Sequence, residues 1–234
     1  MRTESVRLLR TLEHPCGYFR GRHAQNLVID PLATELPRLY DFALARGFRR
    51  AGGHVYRPDC RRCRACVATR IPVAEFRPDR SMRRCRKRNG DLEVTVEPVT
   101  ESTEVVALYQ RYLSWRHPGG GMDLDGIEDF REFVACPWSP TRFLCLREAG
   151  QLLAVAVTDV GPQGHSAVYT FYEPRAAERG LGTLSILEQI ELARREAAPY
   201  LYLGYWIEGH PKMEYKTRFR PIELLHDGEW MRTP

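Results

Sequence analysis

SAVYTFYEPRAAERGLGT, residues 166–183, is the stretch that indicates the fold most strongly. It predicts a strand, then a loop that opens into a helix over 183–197. Gly180 and Gly182 would let the backbone approach a phosphate group, while N–H groups at the start of the helix point at the anion. A glycine-rich turn can also serve only to pack a strand against a helix, so this stretch by itself does not distinguish a phosphate-binding loop from a packing turn.

The elements around this stretch alternate between strands and helices. The sequence predicts strands over 92–98 and 200–207, and over 142–160 a strand, a tight turn and a longer strand. It predicts helices over 32–46, 100–117, 127–135 and 212–219, and a hairpin over 221–230. Asp30 and Pro31 are typical of the start of the first of these helices. The order resembles the GNAT acyltransferase fold, in which a loop patterned like 179–183 holds a pyrophosphate. We therefore expect an α+β (mixed α/β), GNAT-like domain over 91–234.

Charge is distributed very unevenly along the chain. Residues 1–90 hold 21 Lys and Arg against 8 Asp and Glu, whereas residues 91–234 hold 14 against 22. A strongly basic half is typical of proteins that bind a polyanion, although an arginine-rich surface in contact with water is the alternative. The densest basic run lies in 77–90, which we interpret as a connecting tract that faces either water or phosphate.

The stretch YRPDCRRCRACVATR, residues 56–70, contains three cysteines at CxxCxxC spacing. This spacing suits zinc or an iron–sulfur cluster better than a disulfide, with Cys16 as the fourth ligand. The predicted metal ligands are Cys16, Cys60, Cys63 and Cys66. Free reduced thiols are the alternative. We interpret residues 1–76 as a basic, cysteine-rich N-terminal domain.

The overall composition indicates the cellular compartment in which the protein works. Seven cysteines is an odd number, Met1 is followed directly by charged sequence, and no apolar run approaches the ~20 residues that span a bilayer. We expect a reduced, cytoplasmic protein with no membrane segment.

Several motifs together resemble one family. PCGYF, GFRRAGGHVYRPDCRRCRACVATR, FRPDRSMRR, YTFYEPRAAERGLGTLSI and YLGYWIEGHPKMEYKTRFRP occur in the order found in the bacterial leucyltransferases of the arginyl-tRNA–protein transferase family. Met82, where the family has glutamine, and Cys85, an extra thiol, depart from the pattern. The resemblance implies transfer of leucine from leucyl-tRNA to the N-terminal amine of proteins that begin with Asp or Glu, which marks them for degradation. Eukaryotic relatives transfer arginine and carry an iron–sulfur cluster.

The resemblance and the charge pattern predict three groups of site residues. For the tRNA donor they are Arg179, Gly180, Gly182, Thr183, Arg80, Arg83, Arg84 and Lys87. For the acidic acceptor they are Arg49, Arg50, Arg70, Tyr205, Lys212 and Lys216. Candidate proton acceptors are Tyr172, Glu173 and His117, although the leaving ribose or water could serve instead. We expect no coenzyme A, and we interpret Cys136 and Cys145 as small buried residues.

Three alternatives remain open from the sequence. An acetyl-CoA-dependent N-acetyltransferase would explain the second half of the chain but not the basic first half. A metal-stabilised nucleic-acid-binding module would bind RNA without transferring anything. Within the family, arginine could replace leucine as the donor amino acid.

Overall fold

The N-terminal region forms a small antiparallel sheet covered by one helix. The structure, a computed structural model, describes residues 6–116, 127–134, 136 and 138–233. The N-terminal elements are β1 Leu8–Arg10, β2 His14–Pro15, β3 His23–Ala24, β4 Asn26–Ile29, α1 Leu36–Leu44, β5 Arg49–Ala51 and β6 His54–Pro58. Strands β1, β4, β6 and β5 lie side by side in that order, and β2 pairs with β3. Short strand β5 therefore forms one edge of the small sheet.

Helix α1 begins later than its sequence predicts. The side chain of Asp30 accepts a hydrogen bond from the Leu32 backbone N–H at 3.0 Å, which closes a turn, and Leu32 is 88% exposed. The helix then starts at Leu36 with Pro37 in its first turn, where the missing proline N–H leaves no bond unmade. A proline in the first turn sets the start of α1, but it is Pro37 rather than Pro31.

The large sheet contains eight strands in the described residues. The remaining strands are β7 Val67–Pro72, β8 Glu93–Pro98, β9 Thr141–Glu148, β10 Gln151–Asp159, β11 His165–Tyr172, β12 Tyr200–Trp206, β13 Glu223–His226 and β14 Glu229–Arg232. Their order is β14-β13-β7-β12-β11-β10-β9-β8, and β11 and β12 run parallel, whereas the other neighbours are antiparallel. Strand β7, from the predicted N-terminal segment, lies inside this sheet between β12 and β13. The domain limits given above remain a prediction.

Helices cover both faces of the large sheet. They are α2 Arg80–Arg88, α3 Thr103–Arg116, α4 Ile127–Val134 and α5 Leu181–Arg195, with 3-10 helices at Pro174–Arg179 and Glu214–Arg218. Alternate residues of β9 show the two sides, because Phe143 and Cys145 pack with α3 and α4, whereas Leu144 and Leu146 pack with α5. The small sheet packs on the face opposite α5 through Tyr202. In the described part of the chain, no helix is long and apolar enough to cross a bilayer.

The basic tract is largely helix α2. Asp79 caps it by accepting a hydrogen bond from the Met82 backbone N–H at 2.8 Å. Met82 and Cys85, one turn apart, are its buried residues, which explains why an apolar side chain and a thiol occupy the two positions that depart from the family pattern. The charged side chains of Arg83, Arg84 and Lys87 remain exposed.

A buried ion pair joins the small sheet to the large one. Arg50 of β5 donates from Nε and Nη2 to the two carboxylate oxygens of Asp159 at 2.6 and 2.7 Å. The hydroxyl groups of Tyr40 and Thr141 donate to the same carboxylate at 2.8 and 2.7 Å. Side chains from helix α1 and from strands β5 and β9 thus all bind the carboxylate of Asp159 in β10.

Substituting Asp159→Asn tests this junction. Since the change leaves the Arg50 guanidinium buried without its counter-charge, we expect a loss of about 3–5 kcal/mol in the free energy of unfolding. Urea denaturation measures it. Glu101→Gln, which removes the exposed carboxylate paired with Arg131 at 2.5 Å, is the matched control and should cost far less. Equal losses in the two variants would contradict a special role for Asp159.

Candidate functional site

The large sheet is split between its two parallel strands. The register of β11 and β12 covers two residue pairs, His165 with Leu201 and Ser166 with Tyr202, after which the strands separate. Val168 bulges from β11, because Val157 pairs with Tyr169 while the next residue of β10 pairs with Ala167. The gap between the strands therefore exposes backbone carbonyl groups of β11 that need hydrogen-bond donors.

Arg49 of β5 supplies those donors. Its Nη2 donates to the carbonyl oxygens of Ala167 at 2.7 Å and Val168 at 3.2 Å. On the other side of the gap it lies against Gly204, where an added Cβ would stand 1.3 Å from Arg49 Nη1. Gly204 also has a φ of +78°, so glycine is required there both for the backbone conformation and for the space the guanidinium occupies.

Lys216 is the second cation at this gap. It is 4% exposed, and its Nζ donates to the carbonyl oxygen of Tyr205 at 2.5 Å. Burial lowers the pKa of Lys216 well below its ordinary value, and the charge of Arg49 lowers it further, whereas the Cys66 thiol opposes the shift. Among the described residues, neither Arg49 nor Lys216 forms an ion pair with a carboxylate.

Phenol groups surround these cations. The hydroxyl of Tyr205 donates to the carbonyl oxygens of Gly47 at 2.9 Å and Tyr56 at 3.2 Å, and the rings of Tyr56 and Tyr205 lie 6.3 Å apart. Burial raises the pKa of Tyr18 to about 12, with Tyr56 and Cys66 adding to the shift. Tyr56 was missed as a site residue from sequence, although it stands at the start of the cysteine-containing stretch.

The four predicted metal ligands are neighbours. Burial raises the pKa of Cys66 to about 12, and the thiols of Cys16, Cys60 and Cys63 raise it further. Arg22 Nη1 lies 3.8 Å from the Cys63 sulfur. The electrostatic effect of one thiol on another extends well beyond the ~2.3 Å of a zinc–sulfur bond, so it does not place the thiols at ligand distance. Among the described residues, no group of three or more His, Cys, Asp or Glu side chains is arranged to hold a metal. Zinc or an iron–sulfur cluster at these four thiols therefore stays a prediction.

Two of the predicted acceptor cations have carboxylate partners within the chain. Arg50 is held by Asp159, and Arg70 Nε donates to Glu223 Oε2 at 2.7 Å. The Arg70 guanidinium also lies between aromatic rings, 3.6 Å from the centre of Tyr200 and 4.2 Å from that of Trp230. Because these cations are already neutralised, the prediction that they bind the acceptor is not retained. Lys212 is exposed.

The predicted donor loop and the basic tract lie together. Gly180 has a φ of +73° where the 3-10 helix passes into α5, and an added Cβ there would be 3.4 Å from the Cys85 sulfur of α2. Arg88 Nη1 donates to the Glu178 carbonyl oxygen at 2.6 Å. The Thr183 N–H donates to the Gly180 carbonyl oxygen at 3.0 Å. The loop is therefore packed against α2. The two predicted phosphate-binding groups, the turn over 180–183 and the basic side chains of α2, thus lie close together.

Arg179 is less available than its sequence position indicates. It donates to Asp91 and Glu148 at 2.5 Å each and to the Asn89 side chain at 2.9 Å. The hydrogen bonds to both carboxylates raise the pKa of Arg179 and fix its guanidinium. In the turn itself, the Gly180 and Thr183 N–H groups already donate to the Ala177 and Gly180 carbonyl oxygens, so the N–H groups of Leu181 and Gly182 are the ones left for an anion.

The candidate proton acceptors differ in their surroundings. The ring of Tyr172 lies 4.9 Å from that of Tyr112. Glu173 accepts a hydrogen bond from Arg111 Nε at 3.0 Å and from the Arg175 backbone N–H at 3.4 Å, so it caps the 3-10 helix. His117 lies outside the described residues.

The remaining thiols are buried as expected. Cys136 and Cys145 are 6% and 0% exposed, and burial raises the pKa of Cys145 to about 12. Neither thiol is suited to nucleophilic chemistry.

Substituting Gly204→Ala tests the close approach of Arg49. The change forces the guanidinium away and breaks its two hydrogen bonds, so we expect it to cost about 2–3 kcal/mol more in unfolding free energy than Gly150→Ala. Gly150 is the matched control because its φ is +87° but no atom lies within 4 Å of an added Cβ. In an Arg49→Ala background the two glycine variants should cost the same. A persistent difference would show that Arg49 is not the cause.

The chain matches sequence models of one family over most of its length. Residues 14–84 match the description "Arginine-tRNA-protein transferase, N terminus", and residues 104–226 match "Arginine-tRNA-protein transferase, C terminus". The predicted GNAT-like fold is confirmed by two solved structures. FemX has a TM-score of 0.53 at 10% identity over 94% of this chain and 85% of its own. The C-terminal domain of a protein classed as a lysylphosphatidylglycerol synthetase from Agrobacterium fabrum has a TM-score of 0.51 at 14% identity, over 86% of this chain and 63% of its own.

Curated relatives extend over nearly the whole chain. An aspartate/glutamate leucyltransferase of Stenotrophomonas maltophilia K279a is 54% identical over 98% of this chain and 94% of its own length. The corresponding protein of Xylella fastidiosa 9a5c is 51% identical over 97% and 92%, and that of Xanthomonas campestris pv. campestris B100 is 54% identical over 99% and 94%. With both family models matched and this identity along its length, the chain belongs to the arginine-tRNA-protein transferase family.

Proposed function

We propose that the protein transfers leucine from leucyl-tRNA to the N-terminal α-amine of proteins that begin with Asp or Glu. The observation that carries the proposal is a pair of cations, the half-buried Arg49 and the buried Lys216, in the gap between β11 and β12. Each lacks a carboxylate partner among the described residues, so a carboxylate from outside would complete the site. The relatives are named aspartate/glutamate leucyltransferase, which supports the same substrates.

The acceptor side chain would bind between these cations. A guanidinium and an ammonium group can together offer several N–H donors to one carboxylate, and desolvation by the protein strengthens each bond. Tyr205 supports both cations, because its carbonyl holds Lys216 and its hydroxyl ties the strand β12 to Gly47 close to Arg49. Asn or Gln at the acceptor N-terminus would leave the two cations uncompensated, which gives a physical basis for selecting acids. Lys212, on the surface nearby in sequence, would contact later residues of the acceptor.

The reaction needs orientation more than a strong base. The α-amine attacks the carbonyl carbon of the aminoacyl ester, an amide C–N bond forms, the ester C–O bond breaks, and the proton lost by the amine ends on the ribose oxygen. An α-amine has a pKa of about 7.7–8.0, so an appreciable fraction is neutral near pH 7. Holding amine and ester in contact lowers the barrier by roughly 7–11 kcal/mol. Of the candidate proton acceptors, Tyr172 is next to the donor loop, because a Cβ added at Gly182 would lie 3.7 Å from its Cε1 atom.

The donor would bind along α2 and the start of α5. Exposed Arg80, Arg83, Arg84 and Lys87 would neutralise tRNA phosphates, and the 180–183 turn would receive phosphates near the aminoacyl end. Because the donor is aminoacyl-tRNA, we propose a cytoplasmic location and no use of coenzyme A. A zinc or iron–sulfur centre at the four N-terminal thiols remains a prediction, and no step above depends on it.

A transfer assay tests the donor and the acceptor together. Purified protein should transfer labelled leucine from leucyl-tRNA to peptides that begin with Asp or Glu, and not to otherwise identical peptides that begin with Asn or Gln. Arginyl-tRNA and acetyl-CoA, run side by side, should give little product. Arg49→Gln should raise the KM for the Asp peptide about tenfold or more while leaving the KM for leucyl-tRNA nearly unchanged. Equal transfer to Asp and Asn peptides would overturn the proposed acceptor site.

The buried position of Lys216 predicts a pH dependence of acceptor binding. Its pKa is lowered in the free site, and a bound carboxylate favours the protonated form, so the pKa rises on binding. Between the two pKa values, binding takes up a proton, and the preference for Asp therefore weakens as the pH rises through that window. Below the free-site pKa the preference is constant.

The ratio of KM for an Asn peptide to KM for an Asp peptide, measured against pH, isolates this effect, since both peptides carry the same α-amine. In Lys216→Arg, whose charge is permanent, the ratio should not vary with pH. A wild-type ratio that is flat, or a slope that survives in Lys216→Arg, would contradict the linkage.

A further inference from the structure

Three aromatic side chains form a patch at the end of α3 and β11. Trp115 is 45% exposed, and its ring centre lies 6.0 Å from those of Tyr112 and Tyr172. The rings of Tyr112 and Tyr172 are themselves 4.9 Å apart and contact the indole at tilted and edge-on angles. We call Tyr112, Trp115 and Tyr172 the aromatic patch. An exposed tryptophan fixed in this way presents a flat surface whose orientation is already set.

The patch lies next to the donor loop. A Cβ added at Gly182, the second glycine of the loop, would be 3.7 Å from Cε1 of Tyr172. Thr183 and the first turn of α5 follow directly, so an anion held by that helix start would be close to the patch. A bulkier residue at 182 would fill the space between the loop and the patch.

Tyr215 links the patch to one of the acceptor cations. Burial raises the pKa of Tyr112 to about 12, and the phenols of Tyr172 and Tyr215 raise it further, whereas Arg116 opposes them. The Nζ atom of Lys216 lies 5.9 Å from the centre of the Tyr215 ring. The aromatic patch is therefore next to the donor loop and, through Tyr215, close to Lys216.

The chemistry of this position favours a nucleoside. Nucleobases stack on aromatic side chains whatever their sequence, and arginines nearby contribute charge to the adjoining phosphates. Arg111 and Arg116 lie on the same helix as Trp115, and Arg111 is held in place by Glu173 at 3.0 Å. In aminoacyl-tRNA the nucleoside that adjoins the transferred amino acid is the terminal one.

We propose that the aromatic patch binds the terminal nucleoside of leucyl-tRNA, with its base stacked on Trp115. The inference rests on the proposed function, because it takes leucyl-tRNA as the donor. It places the leucyl ester between the patch and Lys216, where an amine held by the cations can reach it.

A donor analogue separates this contact from the rest of tRNA binding. The probe is 3′-leucylamido-3′-deoxyadenosine, in which an amide replaces the ester so that leucine is not transferred. Its inhibition constant against leucyl-tRNA is measured for wild type, Trp115→Ala and Trp115→Phe. Leucinamide, which has no nucleoside, is the second probe. Phe42→Ala is the control for removal of an exposed ring, since Phe42 is 53% exposed on α1.

We expect Trp115→Ala to weaken inhibition by the adenosine analogue about tenfold or more and to raise the KM for leucyl-tRNA by a similar factor. Trp115→Phe should recover most of the loss, and Phe42→Ala should behave as wild type. Changing Arg83 and Arg84 together to Glu should raise the KM for leucyl-tRNA without altering inhibition by the analogue, because the analogue lacks the tRNA body.

Three results would overturn the inference. They are a wild-type enzyme that transfers leucine but is not inhibited by the adenosine analogue, an unchanged inhibition constant in Trp115→Ala, and an equal loss for leucinamide, which would assign the patch to the leucyl side chain. Absence of transfer from leucyl-tRNA in the wild type would instead refute the proposed function. Thermal unfolding of each variant excludes loss of the fold as the cause.

Discussion

The separation of β11 from β12 is the constraint on which the site depends. Two parallel strands that stop pairing after two residues leave backbone groups without sheet partners, and buried carbonyl groups must find donors elsewhere. Arg49 provides them from a different sheet. The same guanidinium thereby closes the gap, fixes the small sheet on the large one, and places a positive charge inside the opening. Glycine at position 204 of β12 leaves room for this guanidinium, since any side chain there would exclude it.

The buried arginines show why an unpaired cation here is unusual. Arg50 and Arg70 are more deeply buried than Arg49, and each has a carboxylate at hydrogen-bond distance, as the cost of burying a lone charge requires. Arg49 and Lys216 share a gap and hold only backbone carbonyls in the described residues. One chain therefore contains paired and unpaired cations side by side. Since unpaired charge lowers stability, its retention is best explained by a ligand that supplies the missing carboxylate.

Local patterns in the sequence predicted those parts of the fold that local interactions determine. The strand, glycine turn and helix around Gly180 follow from backbone freedom and periodicity. The basic tract over 77–90 was interpreted only as a connection, so α2 was not predicted, although Asp79 and two buried positions one turn apart are local signals of it. Local patterns could not assign different roles to the consecutive residues Arg49 and Arg50 of β5. Strand alternation sends Arg49 into the gap and Arg50 to Asp159, 109 residues away, so their roles are decided by long-range packing. The four cysteines show the same limit, because spacing brings thiols near one another without fixing their geometry.

The turn before α5 joins the proposed donor surface on α2 to the aromatic patch. Cys85 of α2 packs with α5 on one face of the sheet, whereas Tyr112 of the patch packs with α3 on the other. The turn is close to both, because a Cβ added at Gly180 would lie 3.4 Å from the Cys85 sulfur and one added at Gly182 would lie 3.7 Å from Tyr172. A long polyanion bound along α2 would therefore reach the gap at this turn. Glycine at positions 180 and 182 leaves room for a nucleotide strand at this turn, whereas a larger side chain would block the path from α2 to the aromatic patch.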